Sequence, residues 1–173
     1  MDTSDERPAA GFHLAQFNVG RTRGPMDSAG MAEFRAGLEA INALADHADG
    51  FVWRLVGEAG ADATDVRMPG SDLLVNLSVW ESREALWDFV YRSDHLDYLR
   101  RRREWFQRVD GPIQVLWWLP AGEIPDVAEA RRRLDLLRDR GPGPDAFTFR
   151  DFQEPPASGP GAAGQAAPVN AGR

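Results

Sequence analysis

The 173-residue chain contains no cysteine and no lysine, so all 20 of its basic residues are arginine. The absence of cysteine excludes disulfides, thiolate zinc sites and cysteine nucleophiles. The absence of lysine excludes a P-loop lysine and the Schiff-base lysine of pyridoxal-phosphate enzymes. The three histidines are spread along the chain without the spacing of a metal site. We therefore expect no metal site and no pyridoxal-phosphate cofactor.

The charge balance and the lack of long apolar runs limit the partners of the chain. A formal net charge of −7 argues against nucleic acid. The one basic run, residues 100–103, is flanked by acidic residues, and its side chains point in different directions on a helix. No stretch of apolar residues is long enough for a membrane span, and the N-terminus lacks the hydrophobic region of a secretory signal. These features predict a cytoplasmic protein with no membrane partner.

Composition divides the chain into three parts. Residues 1–10 are polar and are expected to form a flexible N-terminal arm. Residues 11–152 have the length and apolar content of one domain with its own core. Residues 153–173 consist mainly of Pro, Gly and Ala, so they bury too little surface to offset their ordering entropy. We expect this tail to be disordered.

Hydrophobic periodicity predicts the order β-α-β-β-α-α-β, followed by one more helix. The predicted strands are residues 12–19, 51–56, 73–80 and 113–119. The predicted helices begin near residues 28, 82, 93 and 126, and Ser82 and Ser93 are expected to cap two of them. The helix that begins at Ser93 is expected to continue to about Val109.

The four strands and the helices between them predict an α+β sandwich. Helices would cover one face of an antiparallel sheet and leave the other face open. Strands one and three carry large apolar side chains on both faces, so both faces need a cover. A second copy of the chain is the simplest cover for the open face, and we expect a homodimer.

The segment from Tyr91 to Phe106 is the most informative part of the sequence. One stripe at helical spacing combines two polar groups with apolar ones: His95, Leu99, Arg102, Phe106 and Val109. Such a face requires either polar partners or a pocket. His95 is then a neutral general acid or base near a helix N-terminus, or a packed histidine bonded to backbone near Ser93. Arg102 binds a carboxylate or enolate oxygen, or it forms a salt bridge.

Polar side chains on two strands predict one wall of a small-molecule pocket. Gln16 and Asn18 share a face of the first strand, and Asn76 and Ser78 share a face of the third. If these faces coincide, four hydrogen-bonding groups line a largely apolar space. Aromatic residues are candidates for the remaining walls or, alternatively, for the core or the subunit interface: Trp80, Trp87, Phe89, Tyr91 and Trp118.

Six segments together resemble a known superfamily: HLAQFN (13–18), GFVWRL (50–55), NLSVWES (76–82), FVYRS (89–93), RRREWF (101–106) and VLWWLPAG (115–122). The superfamily is that of the dimeric α+β barrels, with a ferredoxin-like fold, which includes the antibiotic-biosynthesis monooxygenases. More closely, residues 11–152 resemble a bacterial family of unknown function placed in that superfamily. The resemblance implies a pocket between sheet and helices in each subunit.

The resemblance also implies particular site residues. Cofactor-independent oxygenases and heme-degrading members use an asparagine late in the first strand, and Asn18 matches that position. They use a tryptophan on the helix after the third strand, where Trp87 and Phe89 are near but neither matches cleanly. Heme-degrading members add a histidine on the next helix, whereas Leu99 and Arg100 stand there in this chain. Heme degradation is therefore not expected.

These observations predict a small-molecule enzyme of monooxygenase-like type. His95 would take a proton from a hydrophobic metabolite, and Asn18 with Arg102 would stabilise the resulting oxyanion. Cofactor-independent oxygenation, isomerisation or cyclisation would all start from that proton transfer. The alternative is a non-catalytic ligand-binding or stress-associated α+β barrel protein.

Overall fold

A computed structural model describes residues 11–157 and shows an antiparallel sheet between two layers of helices. The strands are β1 (Phe12–Thr22), β2 (Phe51–Arg54), β3 (Leu74–Trp80), β4 (Phe106–Gln107) and β5 (Gln114–Pro120). The helices are α1 (Ala32–Asp46), α2 (Arg83–Arg92), α3 (His95–Arg100), α4 (Arg102–Trp105) and α5 (Val127–Arg140). The α+β prediction is confirmed.

Strand β1 lies at the centre of the sheet because it pairs with β3 on one side and β5 on the other. The main strand order is β2-β3-β1-β5, and every pairing is antiparallel. The two-residue strand β4 pairs with the last residues of β1. The predicted sheet of four strands is therefore corrected to five, since β1 extends to Thr22 and recruits this extra strand.

The predicted single helix from residue 93 to about 109 is wrong. The chain instead forms two short helices, α3 and α4, that meet at Arg101, and it then enters β4. The reason is pairing with β1: Thr22 lies opposite Phe106, and the backbone N–H of Arg23 donates to the Trp105 carbonyl at 2.8 Å. The predicted Ser82 cap is confirmed, since its Oγ accepts from the Ala85 N–H at 3.1 Å.

The two sheet faces follow from the alternation of side chains along the strands. On one face, Phe17, Leu77 and Trp117 are fully buried against α5, which contributes Leu134 and Leu137 to the same core. The prediction that helices cover only one face is therefore wrong. Helix α5, expected as an appendage, supplies the missing cover from the same chain. The open-face argument for a homodimer does not hold, and the homodimer stays a prediction.

After α5 the chain turns around the edge of β5 and returns to the other face. Phe147 exchanges two backbone hydrogen bonds with Leu116, at 2.8 and 2.9 Å, and its side chain is fully buried. Phe149 and Phe152 follow it onto the face that α1 and α2 cover.

Among residues 11–157 no helix is both long enough and apolar enough to cross a membrane. The predicted N-terminal arm and the predicted tail from residue 158 onward lie outside the described residues.

Candidate functional site

A cavity of about 230 Å³ lies between the sheet and helices α1 to α4. Its volume lies just below the range of about 300–1,000 Å³ for small-molecule pockets. The sheet provides the floor, and the helices provide apolar walls formed by Phe34, Leu38, Ile41, Leu86, Phe89, Val90 and Trp105. These walls form because α1 and α2 are amphipathic and turn their apolar stripes toward the sheet. The cavity therefore suits a ligand with an apolar body.

Three amide side chains form a row across the floor. Asn18 on β1 lies in register with Asn76 on β3 and with Gln114 on β5, and all three line the cavity. Directly opposite side chains on neighbouring strands have Cβ atoms about 5 Å apart. The amide row therefore presents donors and acceptors along about 10 Å of the floor.

A hydrogen-bonded chain lies beside the amide row. The indole Nε1 of Trp80 donates to Ser78 Oγ at 2.9 Å, and the Ser78 hydroxyl donates to Gln16 Oε1 at 3.0 Å. An indole nitrogen only donates and an amide oxygen only accepts, so the direction of both bonds is fixed. The chain satisfies the buried Ser78 and uses the carbonyl end of Gln16, which leaves the Gln16 amide nitrogen as a donor at the cavity floor.

His95 lies in the first turn of α3 and lines the cavity. Its Nδ1 is 3.3 Å from the carbonyl oxygen of Val90, which only accepts hydrogen bonds, so Nδ1 carries the proton. Burial lowers the pKa of His95 below its ordinary value, although the Val90 carbonyl partly opposes this shift. Its ring packs against Phe89 at 5.0 Å between centroids. His95 is therefore a neutral imidazole whose Nε2 lone pair has no bonded partner among residues 11–157.

Arg102 lies where α4 crosses the end of β1. Its Nη2 donates to the Val19 carbonyl at 3.0 Å, and its guanidinium lies 4.8 Å from the centre of the Phe106 ring. Burial lowers the pKa of Arg102, yet a guanidinium remains protonated in proteins. The close approach depends on Gly20, where an added Cβ would lie 2.6 Å from Phe106 Cδ1 and 3.2 Å from Arg102 Nη2.

The other charged groups at the cavity already have partners. Arg54 forms two hydrogen bonds to the carboxylate of Asp46, at 2.7 and 3.1 Å. Asp62 Oδ1 accepts from the backbone N–H of Thr64 at 2.8 Å and from its hydroxyl at 2.6 Å. In the described part of the chain no group of three metal-ligating side chains is found. The available polar chemistry thus rests on His95, Arg102 and the amides.

Comparison with protein families gives the classification of the chain. Residues 13–161 match the model of a domain of unknown function, DUF3291. The chain belongs to this family. No curated protein is significantly similar to this DUF3291 chain.

Three solved structures show distant similarity to the DUF3291 chain. SnoaB from Streptomyces nogalater, a cofactor-independent oxygenase, is 17% identical, with 66% of this chain and 94% of SnoaB covered and a TM-score of 0.37. Rv0793 from Mycobacterium tuberculosis is 18% identical, with 68% of this chain and 98% of Rv0793 covered and a TM-score of 0.36. NE2512 from Nitrosomonas europaea, a protein of unknown function, is 11% identical, with 67% of this chain and 95% of NE2512 covered and a TM-score of 0.36.

The structure of the DUF3291 domain brings most of the predicted site residues to one cavity. The three predicted catalytic residues, His95, Asn18 and Arg102, line it together. So do six of the eight residues predicted to contact substrate: Gln16, Asn76, Ser78, Trp80, Phe89 and Tyr91. Their chemical roles stay predictions.

Trp87 and Trp118 are not brought to the cavity, which corrects their predicted place in the site. Trp87 packs on Phe149 at 5.3 Å between ring centroids and is 37% exposed. Trp118 donates from Nε1 to the Gln153 carbonyl at 2.8 Å and packs against Phe152. Both tryptophans contact the C-terminal segment of the DUF3291 domain, Trp87 from α2 and Trp118 from β5.

The polar residues of the cavity that were not predicted include Asn42, Arg54, Asp62, Thr64 and Gln114. A signal existed for two of them. Asn42 lies four residues after Leu38, on the stripe of α1 that faces the sheet. Gln114 alternates with Leu116 and Trp118 along β5, so it shares their face. Nothing in the sequence of β2 indicated that Arg54 would reach this cavity.

Proposed function

We propose that this DUF3291 domain is a small enzyme that removes a proton from a hydrophobic metabolite bound in the cavity. One observation carries the proposal: a neutral imidazole, fixed by its Nδ1–H bond to Val90, lines a largely apolar cavity, and its Nε2 lone pair has no partner in the described residues 11–157. A buried neutral histidine with a free lone pair can act as a general base near neutral pH.

The proposed step transfers a proton from a carbon next to a carbonyl group to His95 Nε2. The electron pair of the broken C–H bond moves onto the carbonyl oxygen and forms an enolate, while His95 becomes an imidazolium. The Nδ1–H bond to Val90 persists in this cation and stabilises it. Asn18, Arg102 and the Gln16 amide nitrogen are the donors available at the floor for the enolate oxygen.

Three outcomes start from this enolate. Return of the proton to a different atom gives isomerisation, and attack on an electrophilic carbon of the same molecule gives cyclisation. Combination with dioxygen, followed by proton return from the imidazolium, gives a hydroperoxide. Loss of water from this hydroperoxide, as its O–O bond and the remaining C–H bond break, leaves one oxygen atom as a new carbonyl, which is monooxygenase-like chemistry. None of the three requires a cofactor. We include the homodimer in the proposal.

The second candidate is a non-catalytic protein that binds a small molecule. The Trp80–Ser78–Gln16 chain favours it, because these polar groups bond to one another rather than to the cavity. A binding protein would retain ligand affinity when His95 is replaced and would show no turnover in any form.

The test is deuterium incorporation into carbon acids in D2O, followed by proton NMR. Phenylpyruvate and phenylacetone both carry a benzylic CH2 next to a carbonyl group. On the other side of that carbonyl, phenylpyruvate has a carboxylate and phenylacetone has a methyl group. We expect the protein to accelerate exchange of this CH2 over the rate in buffer. His95→Gln should reduce the acceleration by about a hundredfold or more, the usual contribution of a positioned base.

His47→Gln is the matched control. His47 also places Nδ1 near a backbone carbonyl, that of Ala43 at 2.8 Å, but it is exposed at the end of α1. Its replacement should leave exchange unchanged. Wild-type exchange at the buffer rate for both ketones, or equal rates for wild type and His95→Gln, would contradict the proposed enzyme. Oxygen uptake with the same compounds separates oxygenation from isomerisation and cyclisation.

A further inference from the structure

In the described part of the chain, Arg102 lacks the acidic partner that its neighbours Arg100 and Arg101 have. Arg101 binds Glu33 and Glu104 through contacts of 2.6 to 3.0 Å at the surface. Arg54, at the other end of the cavity, is paired with Asp46. Among residues 11–157 no carboxylate lies within 4.0 Å of the Arg102 guanidinium. Arg102 therefore brings a half-buried, uncompensated positive charge to the cavity.

We propose that Arg102 anchors the anionic group of the ligand, so that the cavity selects monocarboxylic acids with an apolar, aromatic-sized body. The inference rests on the proposed function for its location and deepens it by naming the substrate class. A half-buried charge without a counter-ion is unfavourable. A ligand carboxylate would supply the missing counter-ion. It would also replace the hydrogen bonds to water that the guanidinium loses through its partial burial.

The geometry around Arg102 suits a carboxylate. A guanidinium has five N–H donors in a planar fork that can bind a carboxylate through two parallel bonds. Among residues 11–157 only one bond from this fork is made, to the Val19 carbonyl. The Phe106 ring supports the guanidinium from one side. Asn18 adjoins Val19 and lines the cavity, so its amide is placed to donate to the same anion.

The charge of the cavity favours a monoanion over a phosphate. Its lining contains one arginine without an acidic partner, and His95 is neutral there. Asp62 is also in the lining and would repel a second negative charge. A phosphate dianion would require more donors and positive groups than one guanidinium and an amide row supply. One carboxylate on an apolar body matches both the charge and the walls.

The test is calorimetric binding of three aromatic acids, each against its uncharged primary amide. Benzoate, 2-naphthoate and biphenyl-4-carboxylate cover a range of lengths, and none has an acidic C–H for the proposed reaction. At least one acid should bind the wild type about ten- to a hundredfold more tightly than its amide, the range for hydrogen bonds to a charged group. Equal affinities of every acid and its amide, or no binding of any acid, would overturn the inference.

Two arginine variants separate the anchor from general charge effects. Arg102→Met removes the charge and the donor fork, keeps an unbranched apolar side chain, and should abolish the preference for acid over amide. Arg103→Met removes the same charge from the adjacent exposed position and should keep the preference. An unchanged preference in Arg102→Met would overturn the inference. Should Arg102→Met fail to fold, Arg102→Lys is the second variant, because it keeps the charge without the planar fork. Its ratio of acid affinity to amide affinity should lie between the wild-type ratio and a ratio of one.

The outcomes distinguish this inference from the proposed enzyme. A preference for acids without any deuterium exchange supports the Arg102 anchor and contradicts catalysis. Exchange of phenylacetone together with equal affinities for acids and amides supports catalysis and overturns the anchor. His95→Gln should retain the acid preference, because binding of these probes involves no proton transfer.

Discussion

Replacing Gly37 by alanine tests how helix α1 is held against α3. Gly37 is buried in the middle of α1, where an added Cβ would overlap the phenol ring and hydroxyl of Tyr98. Tyr98 in turn stacks on Trp105, at 5.7 Å between ring centroids. The missing side chain at position 37 is therefore what allows Tyr98 to reach α1 and close one wall of the cavity.

Two opposing effects set the size of the change. Alanine is about 1 kcal/mol more favourable than glycine in a helix interior. Forcing a methyl group into a filled space costs typically about 1–3 kcal/mol. We therefore expect Gly37→Ala to leave stability unchanged or lower it by up to about 2 kcal/mol. In a Tyr98→Ala background the space is empty, so the same substitution should stabilise the protein by about 1 kcal/mol.

The assay is urea unfolding of the four proteins in this double-mutant cycle. The overlap predicts a coupling free energy of about 1–3 kcal/mol between positions 37 and 98. Gly37→Ala should be neutral or destabilising when Tyr98 is present, and it should be stabilising in the Tyr98→Ala background. If Gly37→Ala changed the free energy of unfolding equally with and without the tyrosine ring, Tyr98 would not contact α1 at this point. The described packing of the cavity wall would then be refuted.

Two further predictions concern His95 and α5. Burial lowers the pKa of folded His95, so the unfolded chain binds its proton first as pH falls below about 6.5. The free energy of unfolding should therefore decrease with falling pH in that range, and urea titrations should show a weaker decrease for His95→Gln. Leu134→Ala in α5 should cost about 2–5 kcal/mol because the side chain is fully buried. Exposed Arg132→Ala on the same helix should change the unfolding midpoint little, and equal effects would contradict the packing of α5 on the sheet.

The sequence predicted the part of the cavity floor formed by β1 and β3, but not the part formed by β5. A strand has a side-chain period of two, so Gln16 with Asn18, and Asn76 with Ser78, had to share faces. The register confirms that these faces coincide, with Gln16 opposite Ser78 and Asn18 opposite Asn76. The third amide of the row, Gln114, could not be placed without the register between β1 and β5. That register depends on pairing between residues distant in sequence.

The stripe on residues 95–109 shows what helical periodicity does and does not determine. The helix itself ends early, because β4 forms hydrogen bonds with β1 that no local pattern reveals. Four members of the stripe nevertheless line the cavity: His95, Leu99, Arg102 and Phe106. Periodic apolar spacing thus indicated which side chains face the sheet, while the break at Arg101 changed only the backbone between them.

The position of α5 decides where a second subunit could bind. Its apolar positions were visible in the sequence, but amphipathicity does not tell which sheet face a helix covers. In the structure α5 covers the face opposite the cavity, where Phe17 and Trp117 are fully buried. A homodimer would have to use a different surface, and a concentration series in the 2-naphthoate titration would detect any dependence of the site on a partner.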